Sequence, residues 1–300
     1  MIDFLLVGSF KAGSTSIAYE LTQSDDVFVP KIKDPYFFLR NSLDKYQQPN
    51  DFVKFQKKYS VLKDQEFFNL FKDNKKKIQG EATPLYLYLH DDAIRNIKQH
   101  NRDTKIIIVL RNPINRAFSN FSHNKKDGFE NFTFLEKVRN YNNYEKSNTH
   151  PFFHYVKAGF YFNQVKAYKE NFNNVHVMHY EDFVLDPKLE INKILNFLGA
   201  SEIEQLLNIR LNKTGKVRYK HIHKILNEET SIKKLLRPLL RFLVKNRNNR
   251  KLLGEYIKNK NIIGETVDKE STLFLKEVYK GDIDKLSQYL NFDYNSFWLK

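Results

Sequence analysis

The stretch "FLLVGSFKAGSTSI", Phe4 to Ile17, decides how the rest of the chain is read. An apolar run at 4–7 reaches Gly8, a second glycine comes at Gly13, and Ser14, Thr15 and Ser16 lead into a helical pattern. A buried strand that turns through glycines into a helix makes an anion site. Backbone N–H groups and the positive end of the helix dipole converge there. In a loop that holds a metal-bound triphosphate, the lysine directly follows the second glycine. Here that position is Ser14, and the only lysine of the loop is Lys11, upstream of Gly13.

A second departure agrees with the first. The apolar run "KIIIVL" ends in "RNP", presenting Arg111 where nucleotide-triphosphate folds usually carry an aspartate that helps bind magnesium. A guanidinium repels a divalent cation and attracts phosphate, in a bidentate fashion where geometry allows. The pair of changes points to an anionic nucleotide held without a metal. Taken alone, Arg111 and Ser119 fit equally well as caps of the helix that Pro113 opens.

Composition narrows the class. The 300 residues carry a net charge of +15, which suits nucleic acid, an acidic membrane, an acidic glycan or a phosphorylated cofactor as partner. With 26 Phe and 17 Tyr the chain is a folded one despite its negative mean hydropathy. It has no cysteine, which excludes disulfides, thiolate metal sites and a cysteine nucleophile. His90, His154, His176 and His179 match no metal-ligand spacing, so no metal is expected. No signal-like or bilayer-length apolar run opens the chain, and the expectation is a cytoplasmic protein.

Runs at 4–7, 27–29, 106–110 and 175–178 read as strands, alternating with helical patterns such as 189–198, which Pro187 opens and Gly199 closes. That alternation predicts an α/β fold with a central parallel sheet flanked by helices, P-loop-like and three-layered, plus C-terminal helices. One domain over 1–300 is expected, with an α/β core at 1–220 and a helical part at 221–300. "DNKKKIQ" (73–79) reads as a solvated turn and "YNNYEKSNTHP" (141–151) as a loop or lid. The basic, leucine-rich stretch at 231–253 fits a helix packed through its leucines, or one in peripheral contact with an anionic membrane.

"GSFKAGSTSI" resembles the 5′-phosphosulfate loop of sulfotransferases that use 3′-phosphoadenosine 5′-phosphosulfate (PAPS), and "RNPINRAFS" resembles their 3′-phosphate segment. "KDPYFF" (33–38) is similar to the "KEPxFF" of bacterial and heparan-sulfate-type carbohydrate sulfotransferases. "GEATPLYL" and "VHVMHYEDFVLDPKLEINKILNFLG" come next, in the family's order. The resemblance implies that the amides of Ala12, Gly13, Ser14, Thr15 and Ser16, with the Thr15 and Ser16 hydroxyls, hold the 5′-phosphate. It also implies that Lys11 reaches the bridging oxygen and that Arg111 and Ser119 grip the 3′-phosphate. Lys216 and Arg218, in "NKTGKVRYK", add contacts from a late loop. Asp34 stands where the family has its glutamate base, with Glu81 of "GEATP" in reserve. Lys33, Tyr36, Glu81 and Tyr161 face the acceptor, although helix-face packing fits Tyr161 as well. Ala82 stands where heparan-type relatives often carry lysine.

The implied reaction moves a sulfuryl group from PAPS to a hydroxyl of a carbohydrate or glycolipid and releases 3′-phosphoadenosine 5′-phosphate (PAP). Nucleic acid is not the expected partner, and the oligomeric state stays open. Two alternatives remain: an ATP-dependent kinase of the P-loop type, and a non-enzymatic basic protein that binds acidic glycan or nucleic acid.

Overall fold

β1 (Phe4–Gly8) is buried along its whole length and occupies the middle of a five-stranded sheet. Its neighbours are β3 (Ile78–Ala82) and β4 (Lys105–Leu110), with β2 (Val27–Phe28) and β5 (Val175–His179) at the edges. Every pairing is parallel, with Phe4 opposite both Gly80 and Lys105, and Ile106 opposite Val175. A parallel sheet needs both faces covered, which is why the β1 and β4 runs are continuously apolar. The structure, a computed structural model, describes residues 2–72, 74–146, 148–206 and 265–299, with the backbone of β6 (Lys216–Val217) and β7 (Ile262–Ile263).

The first helices in chain order are α1 (Ser14–Leu21), α2 (Asn50–Tyr59), α3 (Asp64–Asn69), α4 (Leu85–Tyr88), α5 (His90–His100) and α6 (Pro113–Lys126). After them come α7 (Phe134–Arg139), α8 (Tyr141–Tyr144), α9 (Tyr161–Asn171), α10 (Tyr180–Leu185), α11 (Pro187–Leu198), α12 (Lys269–Leu290) and α13 (Tyr294–Trp298). Alternation along the strands divides the core. Phe4, Leu6, Ile107 and Val109 pack with Ile17 and Leu21 of α1 and with Ile191, Ile194 and Leu195 of α11. Leu5, Val7, Ile106 and Ile108 are also fully buried, and α4 and α9 pack against β1 and β4. The expected three layers are present.

The chain divides into two compact units. One comprises Met1–Phe121, Asn131–Leu207 and Val267–Lys300, so α12 and α13 belong with the sheet; the other comprises Ser122–Glu130 and Asn208–Thr266. Within the second, β6 and β7 pair antiparallel, Lys216 opposite Ile263. The basic stretch 231–253 lies outside the described residues. No helix among the described residues is long and apolar enough to cross a membrane.

Two stretches, expected as a solvated turn and as a loop or lid, are in part built into the fold. The basic run 73–79 ends in β3, a strand masked in sequence by its Gln79-Gly80-Glu81 centre, and Lys76 Nζ donates to Ser24 O at 2.7 Å. The segment 141–151 is anchored by its own buried residues. It contains α8, and Glu145 and His150 are buried; Glu145 accepts from the N–H groups of Val156 and Lys157 at 2.7 and 2.8 Å. Gln47 N–H donates to Asn148 O at 2.9 Å, fixing the far side of the segment.

Candidate active site

The turn after β1 depends on two glycines. A Cβ on Gly8 would stand 2.3 Å from Leu87 Cβ, so only glycine lets α4 pass this close to the strand end. Gly13 caps α1 with φ +81, and a Cβ there would stand 3.0 Å from the Tyr180 ring. Between them Lys11 also takes a left-handed conformation, φ +66. Such backbone is costly for a side-chain-bearing residue and gathers at functional turns. Among the described residues only three others without glycine's freedom share it, and two of those are Asp34 and Tyr36, φ +53 and +59.

Not every amide of the turn is available. Ala12 N–H donates to Ser9 O at 3.3 Å, and Ser16 N–H returns to Gly13 O at 2.9 Å. The two amides expected to face an anion at Ala12 and Ser16 are therefore engaged within the loop. Ser14 and Thr15 open α1, where N–H groups have no intrahelical acceptor, and no acidic residue occupies that first turn.

Arg111 extends from β4 toward this turn. Its Nη1 donates to Lys11 O at 2.6 Å, and its guanidinium lies 4.6 Å from the centroid of the Tyr180 ring. Burial holds its pKa below the usual guanidinium value. Neither Arg111 nor Ser119 caps α6: Asn112 Oδ1 does so, accepting from Ile114 and Asn115 N–H at 3.0 and 3.2 Å. Ser119 is buried two turns along that helix. Glu181 Oε1 accepts from Asn112 N–H at 2.9 Å, the structural role that its place at a strand end suits. Tyr161 is buried, and its hydroxyl donates to Arg111 O at 2.9 Å, so it braces the arginine's backbone.

On the other side of the turn, Asp34 comes after the exposed Lys33, whose Nζ is 3.6 Å from Asp34 Oδ2. Asp34 Oδ1 is buried without a hydrogen-bond partner. Burial raises the Asp34 pKa, and the charges of Lys33 and Lys11 oppose the rise. Glu81, on β3, accepts from Thr83 Oγ1 at 2.8 Å through Oε2, and its Oε1 is buried without a partner. Burial pushes its pKa up to about 8; bonding with Tyr86 and Thr83 pulls the other way, and the Asp34 charge adds to the rise. Burial thus favours the protonated form of both carboxyls, and for Glu81 carries the pKa past neutrality. The Tyr36 hydroxyl is buried, and burial together with the charges of Asp34 and Glu81 raises its pKa.

Arg111 is thus bonded to the loop at Lys11 O, Asp34 feels the Lys11 charge, and Tyr36 and Glu81 feel that of Asp34. Lys216 is described by its backbone in β6 alone, and Arg218 lies outside the described residues. Asn112 and Tyr180 carry no sequence signal of their own, although each sits in a motif that stands out for a neighbouring residue.

The family model described as "Sulfotransferase domain" matches residues 2–237. The mouse and human heparan sulfate glucosamine 3-O-sulfotransferase 6 are each 28% identical over 130 residues, 42% of this chain. The match spans 36% of their length. A sulfotransferase crystal structure from Alicyclobacillus acidocaldarius superposes with a TM-score of 0.74 at 22% identity, covering 100% of this chain and 99% of that one. With the family match extending over more than half of its length, the chain belongs to the sulfotransferase domain family.

Proposed function

We propose that the protein transfers the sulfuryl group of PAPS to a hydroxyl of a carbohydrate or glycoconjugate by in-line displacement. The observation that carries this reading is Arg111: a strand end that would present a metal-binding carboxylate in a kinase presents a guanidinium joined to the loop through Lys11 O. PAPS, when bound, supplies the sulfuryl group and departs as PAP.

The residues present suit that group. Amides at the start of α1, with the Thr15 and Ser16 hydroxyls, donate to the 5′-phosphate. Arg111 and Ser119 take the 3′-phosphate. Lys11 sets its ammonium against the charge that grows on the bridging oxygen, where stabilisation lowers the barrier most. Asp34 accepts the proton of the acceptor hydroxyl; an alcohol becomes a competent nucleophile as that proton leaves. Glu81, protonated, offers a neutral hydrogen bond beside it, and Lys33 and Tyr36 line the same side. The carbohydrate class rests on the "KDPYFF" and "GEATP" resemblance and on the similarity to the mammalian relatives.

Calorimetry with PAP, AMP and EDTA tests the donor half. PAP is expected to bind far more tightly than AMP and independently of EDTA; equal affinities, or a need for Mg²⁺, overturn the reading. Radiolabelled PAPS offered to a panel of neutral and acidic glycans tests the acceptor half, and label confined to non-carbohydrate acceptors would refute it.

A further inference from the structure

The peptide between Arg111 and Asn112 is bonded by Tyr161 and Glu181, and the far end of the chain contacts both of these and the Asn112 side chain. Asn112 Nδ2 donates to Trp298 O at 2.7 Å, and Trp298 Nε1 approaches Glu181 Oε2 at 3.4 Å, while the other oxygen of that carboxylate takes the Asn112 N–H. One residue upstream, the Arg111 carbonyl accepts from the Tyr161 hydroxyl at 2.9 Å. Tyr161 is fixed in turn by Asp282 of α12, whose Oδ2 accepts from the N–H groups of Tyr161 and Phe162 at 2.7 and 3.2 Å. The rings of Tyr161 and Trp298 lie 5.9 Å apart. The two routes therefore meet above one peptide unit.

We infer that Asp282 and Trp298 are positioning residues for the 3′-phosphate grip: α12 and α13 fix the peptide that carries Arg111, and with it the direction of the guanidinium. The inference rests on the reading that Arg111 contacts the 3′-phosphate. Its physical basis is the cost of misplacement. A bidentate contact between guanidinium and phosphate is geometrically exacting, and a backbone rotation at Arg111 would carry the fork away. Sequence-local bonds do not prevent such a rotation, because Asn112 Oδ1 fixes only the first turn of α6, downstream of the arginine. The Asp282 carboxylate is well suited to its place. It sits at the N-terminus of α9, where amides lack acceptors and the helix dipole favours negative charge, and its two hydrogen bonds from Tyr161 and Phe162 oppose the burial that raises its pKa to about 6.

The test uses the full-length chain and the variants Asp282→Ala, Asp282→Asn and Trp298→Ala. Asp282→Asn keeps an acceptor oxygen and serves as the conservative control if the alanine variants fail to fold. PAP and AMP affinities are measured by calorimetry, and amide hydrogen exchange is monitored in the ligand-free proteins. The ratio of PAP to AMP affinity is expected to fall at least tenfold in the alanine variants and less in Asp282→Asn. KM for PAPS should rise while kcat stays within about threefold. Exchange over 111–116 should quicken while 105–109 remains protected. Folded variants that keep the wild-type ratio and the wild-type protection at 111–116 overturn the inference. A wild-type protein that does not distinguish PAP from AMP overturns the underlying reading instead, and the exchange measurement still decides whether the clamp exists.

Discussion

Arg111 Nη1 and the carbonyl oxygen of Lys11 lie 2.6 Å apart, joining two motifs separated by one hundred residues. A guanidinium has five N–H donors in a fixed fork, so this one bond orients the rest without exhausting them. The bond also explains why Lys11 tolerates a left-handed backbone, φ +66: that conformation turns its carbonyl toward Arg111. The loop and the strand end act as one unit.

On the proposed reading, substituting Arg111 removes a 3′-phosphate contact together with its bond to the loop. Hydrogen bonds to charged groups are worth about 1.5–3 kcal/mol, so Arg111→Ala is expected to weaken PAP binding by about tenfold to a hundredfold or more. AMP, which lacks the 3′-phosphate, should lose much less. Arg111→Lys keeps the charge but not the fork and should recover only part of the loss. Calorimetric titration of both nucleotides against the three proteins checks this. Equal losses for PAP and AMP would place Arg111 elsewhere than at the 3′-phosphate.

Asp34 combines a left-handed backbone, φ +53, with a buried carboxylate oxygen that has no hydrogen-bond partner. If it takes the acceptor proton, Asp34→Asn should lower kcat by about 10²- to 10⁴-fold, the range typical of general-base catalysis. PAP affinity should be unchanged. Asp34→Glu keeps the carboxylate and lengthens the side chain by one methylene; it is expected to retain more activity than the amide. Single-turnover rates with labelled PAPS decide the matter, and a fully active Asp34→Asn protein would remove Asp34 from the chemistry.

Legibility in the sequence tracked burial. β1 and β4 announce themselves because both faces are covered, so every position of "FLLV" and "IIIVL" is apolar. β3 is also an interior strand, but Ile78 and Gln79 are only half-buried and Gly80 and Glu81 follow, so its residues read as a turn and a motif. Gly80 is demanded by the sheet itself, since a Cβ there would stand 2.4 Å from the Phe4 ring. The loop, Arg111 and Asp34 stand out in the sequence because each falls in a motif of fixed spacing. The supports were not. Asn112 to Trp298 is a bond across 186 residues, and the stacking of Arg111 on Tyr180 joins separate strand ends. No local pattern encodes such pairs.

The turn glycines make a structural prediction. Gly13→Ala would put a Cβ 3.0 Å from Tyr180 at φ +81, adding left-handed strain of about 1–2 kcal/mol and displacing the ring beneath Arg111. Its melting temperature should fall by several degrees and its PAP affinity with it. Gly8→Ala meets Leu87 Cβ at 2.3 Å, backbone-anchored atom against backbone-anchored atom, and should be the more destabilising of the two. Thermal melts of both variants, with and without PAP, test the order. A Gly8→Ala protein as stable as wild type would show that α4 does not pack as described.

Glu81 supplies the pH dependence. It is 1% exposed, and its pKa of about 8 stands against a reference value of 4.5. Between those values the folded protein keeps a proton that the unfolded chain releases, so stability falls as pH rises. The contribution is fully present below pH 4.5 and is lost on passing through about pH 8. A gap of about 3.5 pH units at roughly 1.4 kcal/mol each corresponds to about 5 kcal/mol. Glu81→Gln, a permanent mimic of the protonated form, should therefore match wild type near pH 5 and be the more stable protein at pH 8. Urea midpoints across that range measure the difference directly. The same variant separates the two carboxylates: with Asp34 as the base, Glu81→Gln keeps kcat within a few-fold at neutral pH. Parallel stability curves would mean that Glu81 titrates normally, and a loss of kcat as large as that expected of Asp34→Asn would make Glu81 the base.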